Sequence, residues 1–268
     1  MIGVFDSGLG GLTVFKEILK KLPNYDYLYL GDNARVPYGE KPKEVIYKYT
    51  CQAVDFLFAQ KCELIIIACN TASAEALRKI QQEYLPKKYP SKRVLGVIRP
   101  LAEDIAKNKN LKRVGVIGTN ATISSNVYPI EINHLNKKIK VYTQATPLLV
   151  PLIEGGHVNH LETNIILKEY LKPLQNKKIE NLILGCTHYP FLRAKIAKIM
   201  GKHCALPKTG EIIALSLADY LKRHPELNIK SVAKPKQQFF TTASPKKFKT
   251  LGEKFFGHEI NHIKKITL

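Results

Sequence analysis

The sequence predicts an α/β fold of two similar lobes, each a mainly parallel sheet with helices, related by a pseudo-twofold axis with the functional site between them. Three observations carry this. Short apolar runs alternate with amphipathic stretches along almost the whole chain, the pattern of strands spaced by helices. The runs are near-continuously apolar, as in Leu64-Ile65-Ile66-Ile67-Ala68, which suits parallel strands buried on both faces. Two segments also repeat in order. Gly3-Val4-Phe5-Asp6-Ser7-Gly8 resembles Gly115-Val116-Ile117-Gly118-Thr119-Asn120, and Ile66-Ile67-Ala68-Cys69-Asn70-Thr71 resembles Ile183-Leu184-Gly185-Cys186-Thr187-His188.

Taken in order, strands are expected at Ile2–Phe5, Tyr27–Leu30, Leu64–Ala68, Arg93–Val97, Arg113–Ile117, Lys140–Thr143 and Asn181–Leu184. Helical stretches between them include Leu12–Lys21, Lys43–Gln60, Ser73–Tyr84, Leu161–Leu174 and Glu211–His224. Each half thus runs strand, polar turn, several elements, then strand and cysteine. Residues 1–98 form the first lobe and 99–208 the second. The chain from 209 to 268 returns to the first lobe with a last strand at Gln238–Thr241.

With 268 residues, 45% of them hydrophobic, the chain can bury a sizeable core. No apolar run is long enough to span a bilayer, and the opening MIGVFDSGLGG reads as strand and turn rather than a signal peptide, so a cytoplasmic enzyme without membrane partners is expected. The five cysteines are odd in number and irregularly spaced, and there is no CxxC pair, which argues against a disulfide framework and a zinc site. The net charge of +20 admits an anionic partner. The lysines are scattered, however, without an aromatic-interleaved basic stripe, and nucleic acid is not expected as the main partner.

Among five cysteines, position singles out two. Cys69 and Cys186 each follow a repeat-related buried strand, and ligands of open α/β sheets bind beyond the carboxyl ends of the strands. Each is expected to open a helix, whose free N–H groups lower a thiol pKa and bind carboxylates. Cys51, Cys62 and Cys204 read as structural. Two equivalent acid/base groups across a pocket suit a nearly symmetric reaction such as racemisation, in which a thiolate removes a Cα proton and a thiol on the opposite face returns one. Asp6, Ser7, Asp32, Glu154 and His188 supply polar groups nearby. Each has an ordinary reading as well: Asp6-Ser7-Gly8 as a helix cap, GLGG as a weak phosphate-loop likeness, His188 as a loop histidine and Glu154 as a cap or ion-pair partner.

The stretches GVFDSGLGGL (3–12), GDNARVPYG (31–39), IIACNTASA (66–74), GVIRP (96–100), GTNATISSNVY (118–128), PLLVPLIEGG (147–156) and LGCTHYP (184–190) together resemble the glutamate racemases, within the wider aspartate/glutamate racemase superfamily. The likeness runs through nearly the whole chain. It implies a cofactor-independent isomerase that interconverts L- and D-glutamate and supplies D-glutamate for peptidoglycan. Residue by residue, it implies that Cys69 faces the α-proton of the D-enantiomer and Cys186 that of the L-enantiomer. Asp6 then assists Cys69, while His188 and Glu154 assist Cys186. Implied substrate contacts are Asp6, Ser7, Pro37, Tyr38, Gly39, Asn70, Thr71, Thr187 and His188, with the Thr119 and Thr122 hydroxyls on a carboxylate. No pyridoxal phosphate, flavin or metal is implied, and a homodimer is.

Three positions depart from the family pattern. Arg99 replaces a common acidic residue, Asn33 replaces threonine or serine, and Lys208 brings a positive charge where an Asp-Ser-Gly-Glu stretch is usual. A racemase for another amino acid such as aspartate, a basic nucleic-acid-binding regulator on the same scaffold and an inactive homologue are the remaining readings.

Overall fold

A computed structural model describes residues 1–268. Its strands are β1 (Ile2–Asp6), β2 (Tyr27–Gly31), β3 (Leu64–Ile67), β4 (Arg93–Gly96), β5 (Arg113–Gly118), β6 (Lys140–Ala145), β7 (Asn181–Gly185), β8 (Gln237–Thr241) and β9 (Ile263–Lys265). They make a six-stranded sheet in the order β4-β3-β1-β2-β8-β9 and a three-stranded sheet in the order β6-β5-β7. Every pairing is parallel. The apolar runs end up buried on both faces, with all five residues of β1 and of β2 inside. That is the burial their sequence pattern predicts.

The internal repeat is visible in the topology. In each sheet the first strand of the half lies between its second and third, so β3-β1-β2 corresponds to β7-β5-β6. Beyond β3 the larger sheet adds β4. Beyond β7 only one parallel bridge occupies that place, Asn181 to Ala205, closed by Leu182 N–H to Ala205 O and Ala205 N–H to Glu180 O, both 2.8 Å. The second lobe therefore keeps the remnant of a fourth strand.

The lobes are not separate globules. One continuous core takes in Ile2, Val4, Leu64 and Ile66 from the larger sheet and Leu182, Leu184, Ile117 and Leu171 from the smaller lobe. Its aromatic centre is Phe15 on the helix Leu12–Lys21, fully buried. The Phe15 ring lies 5.5 Å from Tyr27, 5.6 Å from Tyr29, 6.0 Å from Phe239 and 5.7 Å from Phe256. Phe239 and Phe256 come from the C-terminal segment, so this ring ties the chain's return to its first strands. Lys20 and Lys21 close the helix, where positive charge complements the helix dipole.

Three expectations change. Gln238–Thr241 is not the last strand, because β9 pairs beyond it from Phe239–Ile263 to Thr241–Lys265. Only Ile263 of β9 is even half-buried, so no apolar run announces it. Ser73–Tyr84 is not one helix. The first segment is Asn70–Glu75, Ala76 departs to φ −115°, and after Leu77–Lys79 the turn Ile80–Tyr84 widens to π geometry. The wider turn seats Ile80 in the core and brings the Tyr84 hydroxyl 2.8 Å from Asp55. The long C-terminal helix starts at Thr209 rather than Glu211.

Phe15→Ala empties the aromatic centre and should lower the unfolding free energy by about 3–5 kcal/mol. Urea denaturation followed by circular dichroism measures it. A loss under about 1 kcal/mol would mean that the ring does not join the C-terminal segment to the core.

Candidate active site

Parallel pairing sends the carboxyl ends of the strands of each sheet to one edge. Asp6 ends β1, Cys69 stands two residues past β3, Thr119 follows β5 and Cys186 follows β7. Cys69 caps the helix Asn70–Glu75, and its Sγ accepts the Ala72 N–H at 3.5 Å. Ser7 Oγ lies 3.3 Å from the same sulfur. Cys186 differs from the expectation that it opens a helix. It is followed by a short 3-10 turn, Tyr189–Leu192, capped by His188. Its sulfur instead faces His188 Nδ1 at 3.7 Å, and His188 Nε2 meets Glu154 Oε1 at 2.9 Å. Glu154 ends the helix Leu149–Glu154.

The remaining residues close the space between these turns. Asp6 is fully buried. Its carboxylate accepts Gly8 N–H at 2.9 Å and, from the other lobe, Thr187 Oγ1–H at 3.5 Å. The hydroxyls of Thr71, Thr119 and Thr122 form a triangle across the lobe boundary with sides of 2.9, 3.0 and 3.2 Å. Pro37, joined to Val36 by a cis bond, leads into the turn Tyr38–Glu40. That turn presses on the second lobe: a Cβ on Gly39 would lie 2.6 Å from Thr119 Cβ. Asn70, Thr71, Thr187 and His188 are all buried. Hydrogen bonds and close approaches thus link the turns of Cys69 and Cys186, Asp6, His188, Glu154 and the three threonines across the lobe boundary.

The chain matches the Asp/Glu/Hydantoin racemase family over residues 2–206. It belongs to that family. It is 39% identical to a glutamate racemase of Geobacter metallireducens, over 100% of this chain and 96% of the relative. Its fold superposes on the glutamate racemase of Francisella tularensis in complex with D-glutamate with a TM-score of 0.89 at 38% identity, covering 99% of this chain and 97% of that one. A glutamate racemase isoform from Bacillus anthracis gives a TM-score of 0.90 at 36% identity, covering 100% and 97%. The chain is accordingly an isomerase of the racemase class with the two-lobed racemase fold.

The two thiol sites of this racemase are not electrostatically alike. Burial pushes the Cys69 thiol up to about 12 and the Asp6 charge adds to this, while Ser7 and the Ala72 N–H pull the other way. Against expectation, the helix N-terminus does not win, because desolvation of a thiolate outweighs one long N–H contact. Asp6 itself is raised by burial and restrained by His188 and by the N–H groups of Gly8 and Gly11. Burial lowers His188, but its contacts with Cys186 and Glu154 outweigh this and carry the ring up to about 10. The imidazole is therefore protonated at neutral pH.

Sequence reading left some supporting residues unassigned. Asp32 receives the Tyr38 hydroxyl, Arg35 Nε at 2.6 Å and Thr242 Oγ1 at 2.8 Å, so it anchors the Pro37–Gly39 turn. The Tyr128 hydroxyl donates to Asn70 Oδ1 at 2.6 Å. Of the family departures, Asn33 lies beside Gly8 in the turn after Asp6, and Arg99 and Lys208 lie outside this polar shell. Asn33 accepts the Thr241 hydroxyl at 3.0 Å, Arg99 pairs with Glu103 and Glu131, and Lys208 pairs with Glu211 at 2.7 Å in a separate surface cleft. No group of three His, Cys, Asp or Glu side chains is placed to hold a metal. No helix is long and apolar enough to cross a membrane.

The raised His188 value gives a pH prediction. The stabilisation from the paired imidazolium is complete below the ordinary pKa of 6.5 and is lost as pH rises through about 10. Histidine-selective NMR should show one ring titrating near 10, and Glu154→Gln should move that midpoint down towards 6.5. A wild-type spectrum in which every ring titrates near 6.5 contradicts the ion pair. Gly10→Ala should abolish activity, because its Cβ would lie 2.6 Å from His188 Nδ1. Turnover at the wild-type rate by Gly10→Ala would refute the close contact.

Proposed function

We propose that this racemase interconverts L- and D-glutamate without a cofactor, by moving the Cα proton between Cys186 and Cys69, and that the D-glutamate serves peptidoglycan synthesis. The reading places the reaction in the cytoplasm, in a homodimer, with residues 1–98 and 209–268 as one lobe and 99–208 as the other. The observation that supports it best is the pair of thiols at equivalent strand ends, Cys69 beside the Ser7 hydroxyl and within the field of Asp6, Cys186 beside His188 and its partner Glu154. The glutamate part of the reading rests on the relatives, which are named for glutamate.

In the L-to-D direction Cys186 acts as thiolate beside the His188 imidazolium, which Glu154 holds in place. The thiolate takes the α-proton, and the electron pair of the C–H bond moves onto Cα and the adjoining carboxylate. Cys69, kept as a thiol by burial, gives its proton to the opposite face of Cα and is left as the thiolate. Asp6, behind Cys69 and within the field of His188, assists that half of the transfer. The reverse reaction uses the same groups with their roles exchanged.

The intermediate gathers negative charge at the α-carboxylate, so donors aimed there lower the barrier more than they tighten ground-state binding. The Thr71, Thr119 and Thr122 hydroxyls bond to one another, and a carboxylate can replace those mutual contacts. Asn70, Ser7 and Thr187 add donors, and the Pro37–Tyr38–Gly39 turn closes the cleft. Burial excludes water, which strengthens each of these interactions.

Incubation with L-glutamate in deuterated water, with no cofactor added, should yield D-glutamate carrying deuterium at Cα. Cys69→Ser and Cys186→Ser should each slow racemisation by about 10²–10⁴-fold. Two variants that both turn over at the wild-type rate would exclude the two-thiol mechanism. Faster turnover of L-aspartate than of L-glutamate would exclude the substrate assignment.

A further inference from the structure

Helix Val127–Leu135 belongs to the lobe that carries Cys186, yet one of its faces addresses the chain that leaves Cys69. Tyr128 is 1% exposed and Asn70 is 7% exposed, and the phenol donates to the amide oxygen at 2.6 Å. Asn70 directly follows Cys69. Three residues further along, on the same face of the helix, Glu131 accepts Arg78 Nη2–H at 2.8 Å. Arg78 lies in Leu77–Lys79, the next helical segment after Asn70–Glu75. The helix starts from Asn126 in the left-handed region, φ 56°, and Tyr128, its second residue, is the one that turns inward. Tyr128 also backs the other thiol: a Cβ on Gly185, the residue before Cys186, would lie 3.3 Å from Tyr128 Cε2.

We propose that Tyr128 is a positioning residue for racemisation, fixing the Asn70 amide so that its N–H donors, and not its oxygen, meet the substrate carboxylate. The inference rests on the reading of Asn70 as a substrate contact. A side-chain amide has one acceptor end and one donor end, and rotation by half a turn exchanges them. An unanchored Asn70 would present its oxygen to a carboxylate in part of the population, which is repulsive. A hydroxyl donating to Oδ1 commits the oxygen and leaves both N–H groups for an acceptor. Burial and the nearby Cys186 push the Tyr128 phenol above its ordinary value, so it stays protonated and keeps donating throughout the working range. Because one ring touches the residue after Cys69 and the residue before Cys186, it also holds the two thiol turns in a fixed relation.

A packing role and a positioning role differ in what they predict for Tyr128→Phe, which keeps the ring and removes only the hydroxyl. Positioning predicts that KM rises for both enantiomers of glutamate, by up to the roughly 10- to 100-fold that complete loss of a donor to a charged group would cause. It also predicts that Asn70→Ala raises KM and that adding Tyr128→Phe to Asn70→Ala changes KM no further. Asn70→Asp gives a second test that does not alter Tyr128. It keeps an acceptor for the phenol but replaces the N–H donors with a charged oxygen facing the substrate carboxylate, so KM should rise more than in Asn70→Ala. An unchanged KM in Tyr128→Phe or in Asn70→Asp, or an equal rise from Tyr128→Phe with and without Asn70, overturns the proposal. A wild-type protein that produces no deuterated D-glutamate overturns the glutamate reading itself, whereas an active wild type with an unaffected Tyr128→Phe overturns only the role of Tyr128.

Discussion

The two lobes meet where Gly10 lies against Thr187 and His188, and the contact leaves no room for a methyl group on that glycine. The loop from Asp6 to Leu12 can enter the second lobe only because the chain carries no side chain there. The entry is held by Thr13 Oγ1, which donates to Thr187 O at 2.9 Å. Two consequences follow. Ser7 arrives at Cys69, and Asp6 arrives within the field of His188, the partner of the opposite thiol. The cleft is thus one site assembled from both lobes, and a change of charge at one thiol is felt at the other. Coulombic influence of Cys186 on Cys69 is the direct expression of this.

Topological equivalence has not produced chemical equivalence. Cys69 follows β3 and Cys186 follows β7, which hold matching places beside the central strands β1 and β5. Cys69 nevertheless sits at a helix N-terminus with a serine hydroxyl, and Cys186 sits on a 3-10 turn with a histidine and a carboxylate. Burial keeps the first as thiol, and the second has a cation beside it. A two-base racemase needs one protonated and one deprotonated group before each turnover. Repulsion between two nearby thiolates already favours that mixed state, and the unlike surroundings make the two singly charged forms unequal.

Most of the strands were legible because a doubly buried strand has to be apolar along its interior, and the interiors of β1, β2, β3, β5 and β7 are. The two cysteines were legible because the repeat marks equivalent strand ends. β9 was not, since a three-residue edge strand with two exposed lysines carries no pattern. The break at Ala76 and the π turn after it were not either, because neither glycine nor proline stands at the break and the cause is tertiary. At the site, the motif residues could be named from the resemblance, but their partners could not. Asp32 and Arg35 share a motif with Tyr38, yet only the folded chain shows that one carboxylate takes both the tyrosine hydroxyl and the arginine. Tyr128 ends the stretch 118–128, and its link to Asn70 crosses 58 residues and the lobe boundary, a distance at which no local rule applies.

Access to the site is limited by how the lobes are joined. Cys69 and Cys186 are 5% and 7% exposed, so both reacting sulfurs are shut off from bulk water. Wide separation of the lobes would expose the apolar core they share, at a cost proportional to the area uncovered. The rim of the cleft is of another kind. There the lobes touch through the exposed pair Glu40 and Asn120 at 2.9 Å. Water can replace this contact with little net loss, because a hydrogen bond exchanged for another is nearly neutral. Parting that polar contact costs less than uncovering the apolar core the lobes share, so the apolar side is the part of the junction that resists separation.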